Sequence, residues 1–137
     1  LNTQLSRAQE KRVWLQSGGY LVIEPTEAMT VIDVNSGKAS GDKRISKRNL
    51  YLQINLEAAR EIARQLRLRN CCGMIMVDFI NMDSEEDEKI LMKALDEYLR
   101  RDQVETRLVD MTGLGIVEIT RKKINRPLSD FFSPNIK

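Results

Sequence analysis

The chain has 137 residues, enough for one domain with one core, and its 42% hydrophobic share is ordinary for a globular protein. A net charge of +2 says little about partners, but histidine is absent, which excludes Ser-His and Cys-His catalysis and histidine-based cleavage of RNA through its own 2′-hydroxyl. No apolar run approaches the roughly 20 residues that span a bilayer, and residues 1–12 are polar rather than signal-like, so a cytoplasmic protein is expected. A chain that opens on Leu1 also reads as a piece of something longer.

Residues 1–12 carry a weak helical pattern, the expected tail of a helix from upstream. Trp14 and Leu15 lead to a turn at Ser17-Gly18-Gly19, and residues 20–24, Tyr-Leu-Val-Ile-Glu, form a predicted strand rich in β-formers. Pro25, Thr26 and Glu27 break it. The next strand, from Met29, runs Met-Thr-Val-Ile-Asp-Val-Asn, so an antiparallel hairpin is expected. Period-two alternation puts Val31, Asp33 and Asn35 on one face and Ile32 and Val34 on the other.

Residues 36–46 hold Gly37 and Gly41 among serines and lysines and read as a mobile loop suited to a phosphate backbone. Helical periodicity then covers residues 47–69, with Leu52, Leu56, Ala59, Ile62, Ala63 and Leu66 inside, and Asn70 and Gly73 stopping it. Cys71 and Cys72 are adjacent, which fits neither zinc or redox spacing nor a disulfide framework; they read as small apolar residues packing where helix turns to strand. A second apolar strand begins at Gly73 and delivers Asp78. Ser84 is the expected N-cap of a second helix, with Glu85, Glu86, Asp87 and Glu88 facing its positive end and Ile90, Leu91, Ala94, Leu95, Tyr98 and Leu99 as the buried stripe. Two strands, 104–109 and 115–120, and a basic tail with Pro127 and Pro134 close the chain.

The order strand, strand, helix, strand, helix, strand, strand predicts an α/β domain with a mixed sheet of about five strands and two crossover helices. In such a unit the strands of Asp33 and Asp78 are parallel, and both carboxylates reach the carboxyl edge of the sheet, where ligands bind in open α/β folds. Either aspartate alone has a structural reading as a cap of the turn after it. Together they would repel unless a divalent cation sat between them, and magnesium, which keeps waters and substrate phosphates, suits two carboxylates. No dinucleotide or P-loop pattern is present.

Basic residues gather at Lys38, Lys43, Arg44, Lys47 and Arg48, at Arg64, Arg67 and Arg69, and at Arg121, Lys122, Lys123 and Arg126. Such clusters are usually solvated faces, but the first and third stand beside strand ends. Lys38, Lys43, Arg44, Arg121 and Lys122 are the candidates for contacts with a phosphate backbone.

Six stretches carry a resemblance: Ser17-Gly-Gly-Tyr-Leu-Val-Ile-Glu24, Thr26-Glu-Ala-Met-Thr-Val-Ile-Asp-Val-Asn-Ser36, Asn55-Leu-Glu-Ala-Ala59, Ile62-Ala-Arg-Gln-Leu-Arg-Leu-Arg69, Val77-Asp-Phe-Ile80 and Gly115-Ile-Val-Glu-Ile-Thr-Arg121. In this order they resemble the ribonuclease E/G family of bacterial endoribonucleases, and within it the subdomain named for its likeness to deoxyribonuclease I, over residues 1–137. The resemblance implies hydrolysis of single-stranded RNA to 5′-phosphate and 3′-hydroxyl ends, with Asp33 and Asp78 as magnesium ligands, manganese as the alternative ion, and Asn35 orienting Asp33. It matches Arg121 to a basic position near the family's site. Asn81 stands where the family often has aspartate, which argues that this second acid is not essential to the metal site. The family's RNA-binding domain, 5′-monophosphate pocket and zinc-linking cysteine pair lie outside the chain, so no zinc is expected here, and homo-oligomerisation is expected only of a longer parent. A rival reading keeps the fold and basic clusters as a non-catalytic RNA-binding or scaffold module; a weaker third is a metal-dependent phosphoesterase acting on DNA or small phosphates.

Overall fold

Alternation along the strands divides the sheet into a packed face and an open face. The computed structural model describes residues 10–41 and 45–123. Its strands are β1 (Arg12–Trp14), β2 (Tyr20–Pro25), β3 (Met29–Asn35), β4 (Gly73–Asp78), β5 (Thr106–Met111) and β6 (Ile116–Arg121). Helix α1 (Lys47–Leu68) joins β3 to β4, and helix α2 (Glu85–Arg100) joins β4 to β5. The single sheet has the order β1-β2-β3-β4-β6-β5. Only β3 and β4 are parallel neighbours; every other neighbouring pair is antiparallel.

Among the described residues the sheet thus has six strands, against the expected five or so. The addition is β1, which falls partly in the stretch read as a helical tail; residues 1–9 of that stretch lie outside the described residues. The expected hairpin of β2 and β3 is present, closed by Thr26, whose hydroxyl donates to the Met29 carbonyl at 2.7 Å. The last two strands start one or two residues later than expected, and a register shift between Leu108 and Asp110 interrupts β5.

Thr30, Ile32, Val34, Ile75, Val77, Val117 and Ile119 point to the packed face, where both helices lie. In α1, Leu50, Ile54, Ala58, Ile62 and Leu66 recur every four residues and form the buried stripe. Leu91, Leu95 and Leu99 do the same in α2, whereas Ile90, expected in that stripe, is 48% exposed on its flank. Ser46 and Ser84 cap the helices by accepting the Asn49 and Asp87 N–H groups. The acids Glu85 to Glu88 fill the first turn of α2 as expected, but Asp87 is buried there and takes an ion pair from Arg48 at 3.2 Å, which ties the two helix starts together. Asn70, at φ 51°, turns the chain out of α1 as the pattern predicted.

Among the described residues no helix is long and apolar enough to cross a membrane.

Candidate active site

Strand pairing decides which side chains meet at the carboxyl edge. Asp33 and Asp78 are register partners across the parallel β3–β4 pair, so their side chains leave the sheet on one face from backbones about 4.8 Å apart. Both are exposed, and Asn35 is half-buried two residues beyond Asp33 on the same face. The Asn35 amide donates to Asp33 Oδ2 at 3.4 Å. Among the described residues neither aspartate is seen in an ion pair or a cap, and the Asn35 amide is the one partner seen for Asp33.

Surrounding contacts hold the strand ends. Buried Asn55 of α1 clamps the segment after Asp78 at two points, its amide donating to the Ile80 carbonyl at 2.9 Å and its carbonyl accepting the Ile80 N–H at 3.0 Å. Asn55→Ala leaves those two backbone groups without partners and is expected to lower stability by about 1–3 kcal/mol. A urea midpoint unchanged by the substitution would refute the clamp.

On the other side, residues 37–41 form a 3-10 turn rather than an irregular loop. Gly37 takes φ 51°, and a Cβ there would collide with the Gly18 carbonyl and press on the Tyr20 ring. Ser17 donates through both N–H and hydroxyl to Glu57 Oε1, at 3.2 and 2.6 Å, fastening the β1–β2 loop to α1. A shallow cavity of about 160 Å³ opens beside Asp78, bordered by Phe79, Asn81, Met82, Leu114 and Gly115.

No group of three or more histidine, cysteine or acidic side chains capable of holding a metal occurs among the described residues. The donor set at the edge is therefore two carboxylates and a carboxamide. That set suits magnesium, which is held through one or two carboxylates while waters and substrate phosphates complete its octahedron.

Comparison with known proteins decides the family. The profile of the ribonuclease E/G family matches residues 1–124. The chain belongs to the ribonuclease E/G family. It is 46% identical over 132 residues to ribonuclease E of Nostoc sp. (strain PCC 7120) and, over the same length, to ribonuclease E of Synechocystis sp. (strain PCC 6803), covering 96% of this chain and 19% of each relative. To ribonuclease G of Escherichia coli (strain K12) it is 42% identical over 123 residues, 90% of this chain and 25% of that protein. The chain thus spans about a fifth to a quarter of the curated relatives it matches.

Within this ribonuclease E/G chain the candidate site residues fall into four groups. Asp33, Asn35 and Asp78 come together. Lys38 is exposed on the turn directly after Asn35, with its N–H bonded to the Gly18 carbonyl at 3.1 Å. Lys43 and Arg44 lie outside the described residues.

Arg121 and Lys122 are not at the site. Arg121 pairs with Gly73, the first residue of β4, whereas Asp78 is the last, so five strand steps, roughly 16 Å, separate them along the sheet. The antiparallel course of β6 carries its end to the opposite edge. There Arg121 is 5% exposed and fully engaged: its Nε donates to Asp102 Oδ2 at 2.9 Å, and Nη1 donates to Asn70 Oδ1 and the Cys71 carbonyl, both at 2.9 Å. Asp102 also accepts from the Val104 N–H and the Thr106 hydroxyl. Burial pushes the Asp102 carboxyl up, but the Arg121 hydrogen bond and the other donors outweigh it and hold the carboxyl below its ordinary value. Arg121 is a structural residue that joins the end of β6 to the entry of β4. Lys122 is exposed beside it, its N–H on the Glu105 carbonyl at 2.9 Å.

Of the cysteines, Cys71 packs against the core as expected and burial raises its thiol pKa, whereas Cys72 is exposed. Both line a cavity of about 800 Å³ at the edge away from Asp33. The residues that the sequence reading missed are Asn55, whose place within a resembling stretch was its only signal, and the aromatic pair Trp14 and Tyr20.

Proposed function

We propose that this chain carries the catalytic centre of a magnesium-dependent endoribonuclease that hydrolyses single-stranded RNA to 5′-phosphate and 3′-hydroxyl ends, in cytoplasmic RNA processing and decay. The observation that carries the reading is the register pairing of Asp33 with Asp78 at an open carboxyl edge, in a chain whose relatives are named ribonuclease E and ribonuclease G.

Asp33 and Asp78 would hold the magnesium ion, with manganese as substitute. Once bound, the ion supplies Lewis acidity at a phosphoryl oxygen and acidifies a water. The rest falls to the chain's own groups. Asn35, whose amide donates to Asp33 Oδ2, would orient that carboxylate. The Asn55 clamp keeps the backbone after Asp78 from drifting. Lys38, exposed on the turn after Asn35, would hold a backbone phosphate. This chain supplies no histidine for acid-base chemistry at the 2′-hydroxyl, and the reading takes water as the nucleophile. The region corresponds to the deoxyribonuclease I-like subdomain of a longer, homo-oligomeric protein whose substrate-gripping parts lie elsewhere.

The test replaces the matching segment of the Nostoc ribonuclease E with this chain and assays a single-stranded oligoribonucleotide. Cleavage that is lost in EDTA, restored by magnesium or manganese, and productive of 5′-phosphate and 3′-hydroxyl ends is expected. Metal-independent cleavage, or 2′,3′-cyclic phosphate ends, would overturn the reading. Salt-sensitive RNA binding with no cleavage under any metal would instead favour a non-catalytic RNA-binding module.

A further inference from the structure

The open face of the sheet carries a feature that the metal chemistry does not use. Trp14 and Tyr20 are register partners across β1 and β2, and Tyr20 is in turn the partner of Asn35. Along the next row Arg12 pairs with Val22, Val22 with Asp33, and Asp33 with Asp78. Register partners point to one face, so Arg12, Trp14 and Tyr20 stand on the same side of the sheet as Asp33, Asn35 and Asp78. Trp14 is two strand spacings from Asn35, roughly 10 Å.

The three side chains are arranged against one another. The Trp14 and Tyr20 rings lie 5.0 Å apart between centroids at an angle of 54°. The Arg12 guanidinium sits 4.4 Å from the Tyr20 centroid and 5.6 Å from that of Trp14. Gly37, which follows the site strand, borders the Tyr20 ring, where a side chain would press on it. Trp14 nevertheless remains 55% exposed.

A large indole left in water on a sheet face, beside a cation that is itself spread over aromatic rings, has the chemistry of a stacking platform. Every nucleobase offers a π-face to such a ring, and an arginine adds both cation–π attraction and charge for a phosphate. Sheets that present exposed aromatics hold single-stranded RNA in this way in unrelated folds.

We propose that Trp14, with Tyr20 and Arg12 behind it, stacks a base of the single-stranded RNA whose scissile phosphate lies at Asp33 and Asp78. The proposal rests on the ribonuclease reading and adds to it a specificity-determining contact within this domain. It sets where the strand leaves the metal edge: across β2 toward β1, over the open face. Stacking is tolerant of base identity, so the platform fixes the path of the strand more than its sequence. It favours unpaired over duplex RNA, because a paired base has no free face to offer.

Trp14 is the chain's single tryptophan, so intrinsic fluorescence reports on this site alone. The chain is titrated in EDTA with an oligouridylate of about ten residues carrying a fluorescent end label, reading indole emission and label anisotropy together. Saturable quenching that follows the anisotropy is expected, with an abasic ribose-phosphate oligomer giving no quenching. Trp14→Ala should weaken binding roughly 5- to 150-fold, the range measured for loss of one stacking partner, while Trp14→Phe recovers most of it. In the Nostoc hybrid, Trp14→Ala should raise KM at nearly unchanged kcat, and unchanged circular dichroism would exclude misfolding.

Binding seen by anisotropy without quenching, equal affinity of Trp14→Ala and the parent chain, or no binding by either readout would overturn the proposal. These results leave the metal site untouched. Conversely, quenching in the isolated chain beside a hybrid that cleaves nothing would sink the ribonuclease reading and leave the platform standing.

Discussion

Asp33→Asn and Asp78→Asn, made in the Nostoc hybrid, are each expected to lower RNA cleavage by more than the roughly 10- to 100-fold expected for Asn35→Ala. Neither change should harm the fold. Both side chains are exposed at a strand end, and asparagine keeps the shape of aspartate. Two carboxylates directly opposite one another in adjacent strands repel, so removing one charge should raise stability in metal-free buffer by about 0.2–1 kcal/mol. Activity and stability therefore move in opposite directions, which a damaged fold cannot imitate. Magnesium should raise the melting temperature of the parent chain and leave the variants where they are, because ligand binding stabilises only the state that binds it. Cleavage at parent rates by either variant would end the assignment.

Arg121→Ala is expected to lower stability by about 3–5 kcal/mol, the usual result of leaving one partner of a buried ion pair uncompensated. That is a large part of the roughly 5–15 kcal/mol available to a domain of this kind. The loss should depend on pH in a defined sense. In the folded chain Asp102 has a lowered pKa, so the pair's contribution is fully present above the unfolded carboxylate value, about 4, and fades as pH falls through the folded value. Without Arg121, only the Val104 N–H and the Thr106 hydroxyl oppose burial, so the Asp102 carboxyl is held down less than in the parent. The gap between parent and variant in urea denaturation should thus be widest near neutral pH and narrow below about pH 4. A folded Arg121→Ala chain of parent stability would return Arg121 to the list of phosphate-binding candidates.

Arg121 also shows where reading from sequence fails. A basic residue directly after a strand resembles one at a site, but β6 runs antiparallel to β4, and that reversal sends its end to the wrong edge. The carboxylate that engages it, Asp102, is 19 residues away in the chain and carries no local mark. Asp33 and Asp78 were legible for the converse reason. A strand, a helix and a strand in succession imply parallel neighbours, and period-two alternation then names the faces. The helices were legible through their four-residue stripes, with Ile90 misassigned because a position flanking the stripe at Leu91 looks the same by periodicity. Strand β1 was missed because three residues are too few to show alternation, and with it went Trp14, whose meaning depends on pairing to Tyr20 and thence to Asn35.

Manganese titration of the isotopically labelled chain in magnesium-free buffer, followed by NMR line broadening, tests the central claim most directly, because it asks for the metal site alone. Broadening centred on Asp33, Asn35 and Asp78, reversed by magnesium and absent in Asp33→Asn and Asp78→Asn, is the predicted result. Broadening centred on the acidic start of α2 at Glu85 to Glu88, or none at millimolar metal, would contradict it.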